Sequence, residues 1–314
     1  MSRIHEALKK AEQERAAVVT ADPIAAAQPS DIAVSAPERI ESPAPRNDDI
    51  LAPTPVAPRP VSDYLRFDDL RARCSHPEWH LDPNVNVFVN PALSSQGAEQ
   101  FRTLRSRLYQ LRSNQPLRTL LVTSSIPAEG KTFVTNNLAQ SIVRQPDRRV
   151  LIIDADLRRA RLHVPLGAPS SPGLTDYLRG EADGISIIQQ GQEGNLCFIP
   201  GGSEVTNPSE LLSNGRLKAL LNRLAPIFDW VILDSPPCLL VADASVLADI
   251  CDGVLLVTRA GVTPAATAQR AAQELRGRNV VGVVLNAMTE SHTGNSDYYY
   301  GYGSGYGESI RSKE

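Results

Sequence analysis

Nine consecutive residues, Ser124-Ser125-Ile126-Pro127-Ala128-Glu129-Gly130-Lys131-Thr132, place a glycine, a lysine and a hydroxyl side by side at the end of the apolar run Leu120-Leu121-Val122. A helical pattern follows, from Phe133 to about Val143. A strand, a tight loop and a helix N-terminus in that order aim main-chain N–H groups at an anion, to which the lysine adds charge. The chemistry such a loop serves is the holding of a polyphosphate. Its first position is Ser125, where glycine is usual, and Pro127 stiffens it. Two later apolar runs end in acids. Val150-Leu151-Ile152-Ile153 leads into Asp154-Ala155-Asp156-Leu157-Arg158, and Trp230-Val231-Ile232-Leu233 into Asp234-Ser235-Pro236-Pro237. Asp154 and Asp156, two apart on an extended backbone, point the same way. A single such acid is most often a solvated loop residue or a helix cap. Three of them at the ends of two buried strands, downstream of Gly-Lys-Thr, supply the hard oxygens that Mg²⁺ takes beside phosphate.

The elements that must carry these groups are legible in the same way. Strands are expected near 118–124, 149–154, 195–200, 229–234, 253–259 and 280–286, and helices near 131–144, 208–224, 241–249 and 264–276. Continuous apolar strands alternating with helices mean an α/β fold, a mostly parallel sheet covered by helices on both faces, with ligand chemistry gathered at the strands' carboxyl ends. Pro208 and Ser209 after Asn207 read as a helix start, and Asp243 as a cap or packing residue. Ala98 to about Arg112 reads as a helix with Phe101, Leu104, Leu108 and Leu111 on one stripe. Glu99, Arg102 and Arg105, three apart, share another face suited to charged contacts or to a solvated surface. Residues 62–97 are an ambiguous lead-in: Tyr64, Leu65, Phe67, Leu70 and Trp79 are candidates to pack on the core, and Val85 to Val89 for an edge strand.

Composition sets the outer limits. A net charge of −3 and a pI near 6.0 give no sign of a nucleic-acid binder. No window is apolar enough for a membrane span, and Lys9, Lys10, Glu12 and Glu14 interrupt the place of a signal peptide, so a cytoplasmic protein is expected. Cys74, Cys197, Cys238 and Cys251 have no metal-site spacing, and neither disulfide nor structural zinc is expected. Residues 1–16 space Ile4, Ala7, Leu8 and Ala11 for one helical face, which needs a partner to be stable; a frayed charged terminus fits as well. Residues 17–61 hold nine of the 24 prolines and no aromatic residue, and are expected to form a disordered tether. The tail, 291–314, carries Tyr298, Tyr299, Tyr300, Tyr302 and Tyr306 among glycines, five of the chain's eight tyrosines, and is expected to be flexible. Residues 98–290 are left as the folded domain.

With these residues in place, the chain resembles the bacterial tyrosine kinases, relatives of the MinD and ParA type of P-loop ATPases that regulate capsular and exopolysaccharide synthesis. Lys131-Thr132, Asp154-x-Asp156-x-Arg158 and Asp234-x-x-Pro237 match that family's Walker A, A′ and B motifs. Further similarity lies in Gly173-Leu174-Thr175-Asp176-Tyr177-Leu178, Asn207-Pro208-Ser209-Glu210-Leu211-Leu212 and Asp252-Gly253-Val254-Leu255-Leu256-Val257. The resemblance implies a P-loop NTPase fold and an ATP- and Mg²⁺-dependent protein-tyrosine autokinase acting in trans. It implies that Ser125, Ala128, Glu129, Gly130, Lys131, Thr132 and Phe133 cradle the nucleotide and that Asn286 faces its base. Thr132, Asp156 and Asp234 would hold the metal, and Lys131, Asp154, Asp156 and Asp234 form the catalytic set. Asp154 is the choice for accepting the phenolic proton, with Asp156 as the alternative. The tail tyrosines would be phosphoacceptors, and Glu99, Arg102 and Arg105 a subunit contact in a homo-oligomeric ring. Implied partners are an inner-membrane polysaccharide chain-length regulator, a co-polymerase that recruits and activates the kinase, and a cognate phosphotyrosine phosphatase, with no nucleic acid. The enzyme would then lie peripherally on the inner membrane.

Two other readings are kept. A positioning or partition switch of the MinD and ParA kind would use nucleotide to control dimerisation, but those relatives carry a second lysine where this chain has Ile126. A nonenzymatic regulator holding nucleotide as a structural ligand would need the loop but not three carboxylates.

Overall fold

A computed structural model describes residues 65–90, 96–191 and 194–288. The amphipathic stretch 1–16, the tether 17–61, Tyr64 and the tail tyrosines Tyr298, Tyr299, Tyr300, Tyr302 and Tyr306 lie outside these residues.

The helices, in chain order, are α1 (Phe67–Arg73), α2 (Gln96–Asn114), α3 (Lys131–Val143), α4 (His163–Leu166), α5 (Leu174–Arg179), α6 (Pro208–Ser213), α7 (Arg216–Leu224), α8 (Asp243–Ala248) and α9 (Ala265–Glu274). The strands are β1 (Thr119–Ser124), β2 (Val150–Asp154), β3 (Gln189–Gln190), β4 (Leu196–Ile199), β5 (Trp230–Asp234), β6 (Gly253–Arg259) and β7 (Val280–Asn286). They join in one sheet in the order β3-β4-β2-β5-β1-β6-β7, parallel throughout except for β3 against β4. β1, β2 and β5 are buried along their whole length, as their unbroken apolar runs require.

Strand side chains alternate between two cores. Leu121, Leu151, Ile153, Val231 and Leu233 face one, closed by Phe67 and Leu70 of α1, Leu174 and Leu178 of α5, the leucines of α7, Leu247 of α8 and Ala271 of α9. Leu120, Val122, Val150, Ile152, Trp230 and Ile232 face the other, closed by Phe101 and Leu108 of α2 and by Val134, Leu138 and Ile142 of α3. Both faces are therefore helix-covered, which is the expected architecture. All four cysteines are free. Cys74, Cys197 and Cys238 are buried in the first core, and Cys251 is half-buried at its margin.

The elements differ from expectation in several places, among them the short helices α4 and α5, which no expected helix covers. Val85 to Val89 form turns rather than an edge strand, because Asn137 of α3 takes their polar groups: its Oδ1 accepts the Val87 N–H at 2.9 Å and its Nδ2 donates to the Val85 carbonyl at 2.9 Å. The span 208–224 is two helices, α6 and α7, parted at Asn214-Gly215, where Gly215 adopts φ 80°. The lead-in also contains α1, and its Trp79 is buried against Phe198, with ring centroids 6.1 Å apart. β3, two residues long, pairs antiparallel with β4 and bridges to Ser75 on its other side.

Candidate active site

β2, β5 and β1 are neighbours in the sheet; β2 and β5 end at the same level, with Asp154 opposite Asp234, and β1 runs two residues beyond Val122, which faces Asp234. The loop after β1 therefore rises beside the two acidic strand ends. Gly130, at φ 92°, turns the chain into α3, whose first bond runs from the Val134 N–H to the Gly130 carbonyl at 2.9 Å. A helix leaves its first amides without intrahelical partners, so those of Lys131, Thr132 and Phe133 face outward from the N-terminus. Ala128, at φ 63°, holds a left-handed conformation unusual for a residue with a Cβ.

The side chains converge. The Lys131 ammonium lies 3.0 Å from Asp156 Oδ2. The Thr132 hydroxyl donates to Asp234 Oδ2 at 2.6 Å, and Thr135 reaches Asp234 Oδ1 at 3.5 Å. Asp154 accepts the Leu162 N–H at 2.8 Å and the Asp156 N–H at 3.3 Å, so it shapes the loop after β2 as well as facing Asp234. Asp154, Asp156 and Asp234 are all buried.

Burial and crowding govern their charge. Burial, then the Asp234 charge, raises the Asp154 pKa well above the usual carboxylate value. Burial also pushes Asp234 up to about 6, against the pull of Lys131 and the Thr132 hydroxyl. Burial by itself would depress the Lys131 pKa, but Asp234, Asp156 and Asp154 outweigh it and hold the ammonium above its ordinary value. A dense cluster of acids around one cation is poised for a ligand that brings further cations.

The donor set is hard oxygen. Among the described residues no group of three or more carboxylates, imidazoles or thiolates is arranged as a protein-only metal cage. Mg²⁺ characteristically takes one or two carboxylates and completes its shell with phosphate and water, so Thr132 and Asp234, with Asp156 nearby, fit it. The buried Ser125 hydroxyl, without a protein partner among the described residues, leaves a polar atom in the loop available to a ligand.

Other expected residues fall in particular places. The Phe133 ring stacks edge-on against Phe101 at 5.8 Å, leaving its main chain for the loop. Asn286, at the end of β7, donates through Nδ2 to the Glu129 carbonyl at 2.9 Å, so it touches the loop's backbone. The Glu129 carboxylate accepts the Ile126 N–H at 2.8 Å and the Thr263 hydroxyl. On α2, Glu99 and Arg102 pair with each other at 3.0 Å on an exposed face, whereas Arg105 donates to the Ser141 carbonyl of α3. Arg158 holds buried Asp243 with two bonds, at 2.8 and 3.2 Å, and the Ser209 hydroxyl at 3.0 Å, tying the acidic loop to α6 and α8. Sequence reasoning missed Arg259 and Thr263 in this surround, and read Ser209 as a helix start without its contacts to Arg158 and Asp243. Thr263 before Pro264 signals a helix start, and nothing in its spacing points to the phosphate loop.

No protein-family model matches the chain. It is 35% identical over 239 residues to the tyrosine-protein kinase Etk of Escherichia coli K12, a match covering 73% of this chain and 32% of that protein. It is 32% identical over 221 residues to the tyrosine-protein kinase YwqD of Bacillus subtilis, covering 70% of this chain and 92% of that one. The solved kinase domain of E. coli tyrosine kinase ETK superposes with a TM-score of 0.62 at 34% identity, over 71% of this chain and 87% of that domain. The chain thus spans about a third of the length of its E. coli relative and nearly the whole of the B. subtilis one.

Proposed function

From the premise that this chain belongs to the bacterial tyrosine-protein kinases, we propose that it transfers the γ-phosphoryl group of ATP to tyrosine in a Mg²⁺-dependent autokinase reaction. The observation that carries this reading is the convergence of Lys131 and Thr132 from one loop with Asp156 and Asp234 from two strand ends, all within hydrogen-bond range. Phosphoryl transfer asks a protein for alignment and charge neutralisation more than for covalent chemistry, and those four side chains provide both.

In this reading the amides of Gly130 and Lys131 and the Lys131 ammonium hold the terminal phosphates, while Thr132, Asp234 and Asp156 hold Mg²⁺. Held by these residues, Mg²⁺ would supply positive charge against the phosphates. Lys131 exchanges its present partner, Asp156, for phosphate. We assign the phenolic proton to Asp154, whose burial raises its proton affinity; Asp156 is the competing acceptor. A phenol ionises near pH 10, so a carboxylate acceptor beside a cation-rich site assists it.

The acceptors are the tail tyrosines of a neighbouring subunit, Tyr298, Tyr299, Tyr300, Tyr302 and Tyr306, in a homo-oligomeric ring assembled through α2. The wider role is regulation of exopolysaccharide or capsule synthesis at the inner membrane, through a co-polymerase partner and a phosphatase that resets the tail. Family membership and the tyrosine-rich tail support this reading. Purified chain incubated with Mg-ATP and probed for phosphotyrosine, beside Lys131→Met, tests it. Phosphotyrosine in the wild type and none in the variant is expected, and equal signal from both overturns the assignment.

A further inference from the structure

The phosphate loop holds a shape it would not adopt alone. Ala128 sits at φ 63° two residues before Gly130 at φ 92°, and such a conformation persists in an alanine only where the surroundings over-determine it. The surroundings here come from one edge of the sheet. Glu129 is almost wholly buried, and both its carboxylate oxygens are taken by neutral donors: Oε2 by the Ile126 N–H at 2.8 Å, inside the loop, and Oε1 by the Thr263 hydroxyl in the turn between β6 and α9. That hydroxyl also accepts the Arg259 N–H at 3.1 Å, so its single proton is committed to Glu129. The Glu129 carbonyl accepts from Asn286 at the end of β7, and the Ala128 carbonyl lies 3.5 Å from Arg259 Nη1. Among the described residues, every side-chain tie from outside the loop thus comes from the unit β6–α9–β7. None comes from the acids of β2 and β5, which engage Lys131 and Thr132 instead.

We infer that Thr263 is a positioning residue for the nucleotide: through the Glu129 carboxylate it fixes the Ile126–Glu129 arc, and with it the direction of the amides that receive phosphate. This rests on the reading of the loop as a nucleotide site. The Glu129 carboxylate then acts by holding the loop and not by touching the ligand, since a carboxylate facing phosphate would repel it while one turned outward and hydrogen-bonded does not. The edge of the sheet becomes a control point for nucleotide affinity, and β7, from which the tail departs, is part of it.

The test uses the full chain with Thr263→Val, which keeps shape and loses the hydroxyl, and Thr263→Ser, which restores it. A fluorescent ATP analogue with Mg²⁺ reads affinity, and hydrogen exchange at the Ile126 amide in nucleotide-free protein reads the loop directly. Thr263→Val is expected to weaken binding and to speed Ile126 exchange about tenfold each, the scale of one hydrogen bond to a charged group. KM for ATP should rise in step while the saturated rate stays within about twofold, and Thr263→Ser should recover both readouts. Exchange at Leu121 in β1 is the internal reference. If it rises as much as Ile126, the effect is global and the inference falls. If wild type binds the analogue and Thr263→Val matches it, the inference alone falls. If wild type binds no nucleotide, the site reading and the inference fall together.

Discussion

The Lys131 ammonium answers to three carboxylates at once, and this sets what its removal does. Without it, Asp154 and Asp234, already raised by burial, take up protons more readily and so avoid standing as uncompensated charges. Lys131→Met is therefore expected to keep a native circular dichroism spectrum while losing transfer by at least about a hundredfold, the scale of one lost transition-state charge contact. Asp243 behaves oppositely. Burial favours its protonated form, but Arg158 and Ser209 outweigh burial and hold its pKa below the ordinary 3.8. A depressed carboxylate contributes stability that is present above its unfolded value and lost as pH falls through the folded one. Urea midpoints should drop below about pH 4 in the wild type. Asp243→Asn should be less stable near neutrality and lack that part of the acid loss; parallel pH profiles for the two proteins would contradict the pairing. Of the groups at this scale, Lys131 and Thr132 were legible because they stand between a short loop and a helical pattern, and Asp154, Asp156 and Asp234 because they stand where apolar runs stop. Thr263 and Ser209 were not, because what they do depends on which loops the sheet order brings together.

At the scale of elements, β1, β2, β5 and β6 were readable from apolar runs that only a doubly covered sheet accommodates. The break between α6 and α7 was carried by the Asn214-Gly215 turn pair, hidden under an apolar pattern that continues across it. β3 and the turns at Val85 to Val89 answer to tertiary partners that no local pattern encodes. α2 shows both sides. Of its stripe, Phe101 and Leu108 are buried and Leu104 and Leu111 half-buried, but the row Glu99, Arg102 and Arg105 is divided, with Arg105 turned onto α3. Burial lowers the Arg105 pKa, in keeping with an inward-facing group. Arg102→Ala is thus expected to weaken self-association without moving the melting temperature. Arg105→Ala should in addition cost about 1 kcal/mol of stability through the lost tie to Ser141. Sedimentation and thermal melts on the two single variants separate these effects, and an unchanged oligomer with Arg102→Ala would remove α2 from the interface.

For the whole molecule, no helix among the described residues is long and apolar enough to cross a membrane, and in our proposal the membrane role falls to a partner. Residues 1–16 are one candidate contact. Each phosphorylated tail tyrosine adds roughly −1.5 to −2 charge, and several on one tail, near neighbours' acidic sites, should loosen an assembled ring. Replacing Tyr298, Tyr299, Tyr300, Tyr302 and Tyr306 by Phe should remove most phosphotyrosine and favour the assembled form; identical oligomer distributions for the phosphorylated and Phe-substituted chains would exclude release by phosphorylation. The buried thiols have a separate consequence. Burial raises Cys74, Cys197 and Cys238, the last to about 11, and the thiolate is the reactive form. Near neutral pH Cys238 therefore stays a protonated thiol, shielded by the surrounding core. Alkylation at these positions therefore waits for the core to open, and the native protein carries its own gauge: label counted at these three thiols against time reports how often the core stands open, with no dye, tag or denaturant added.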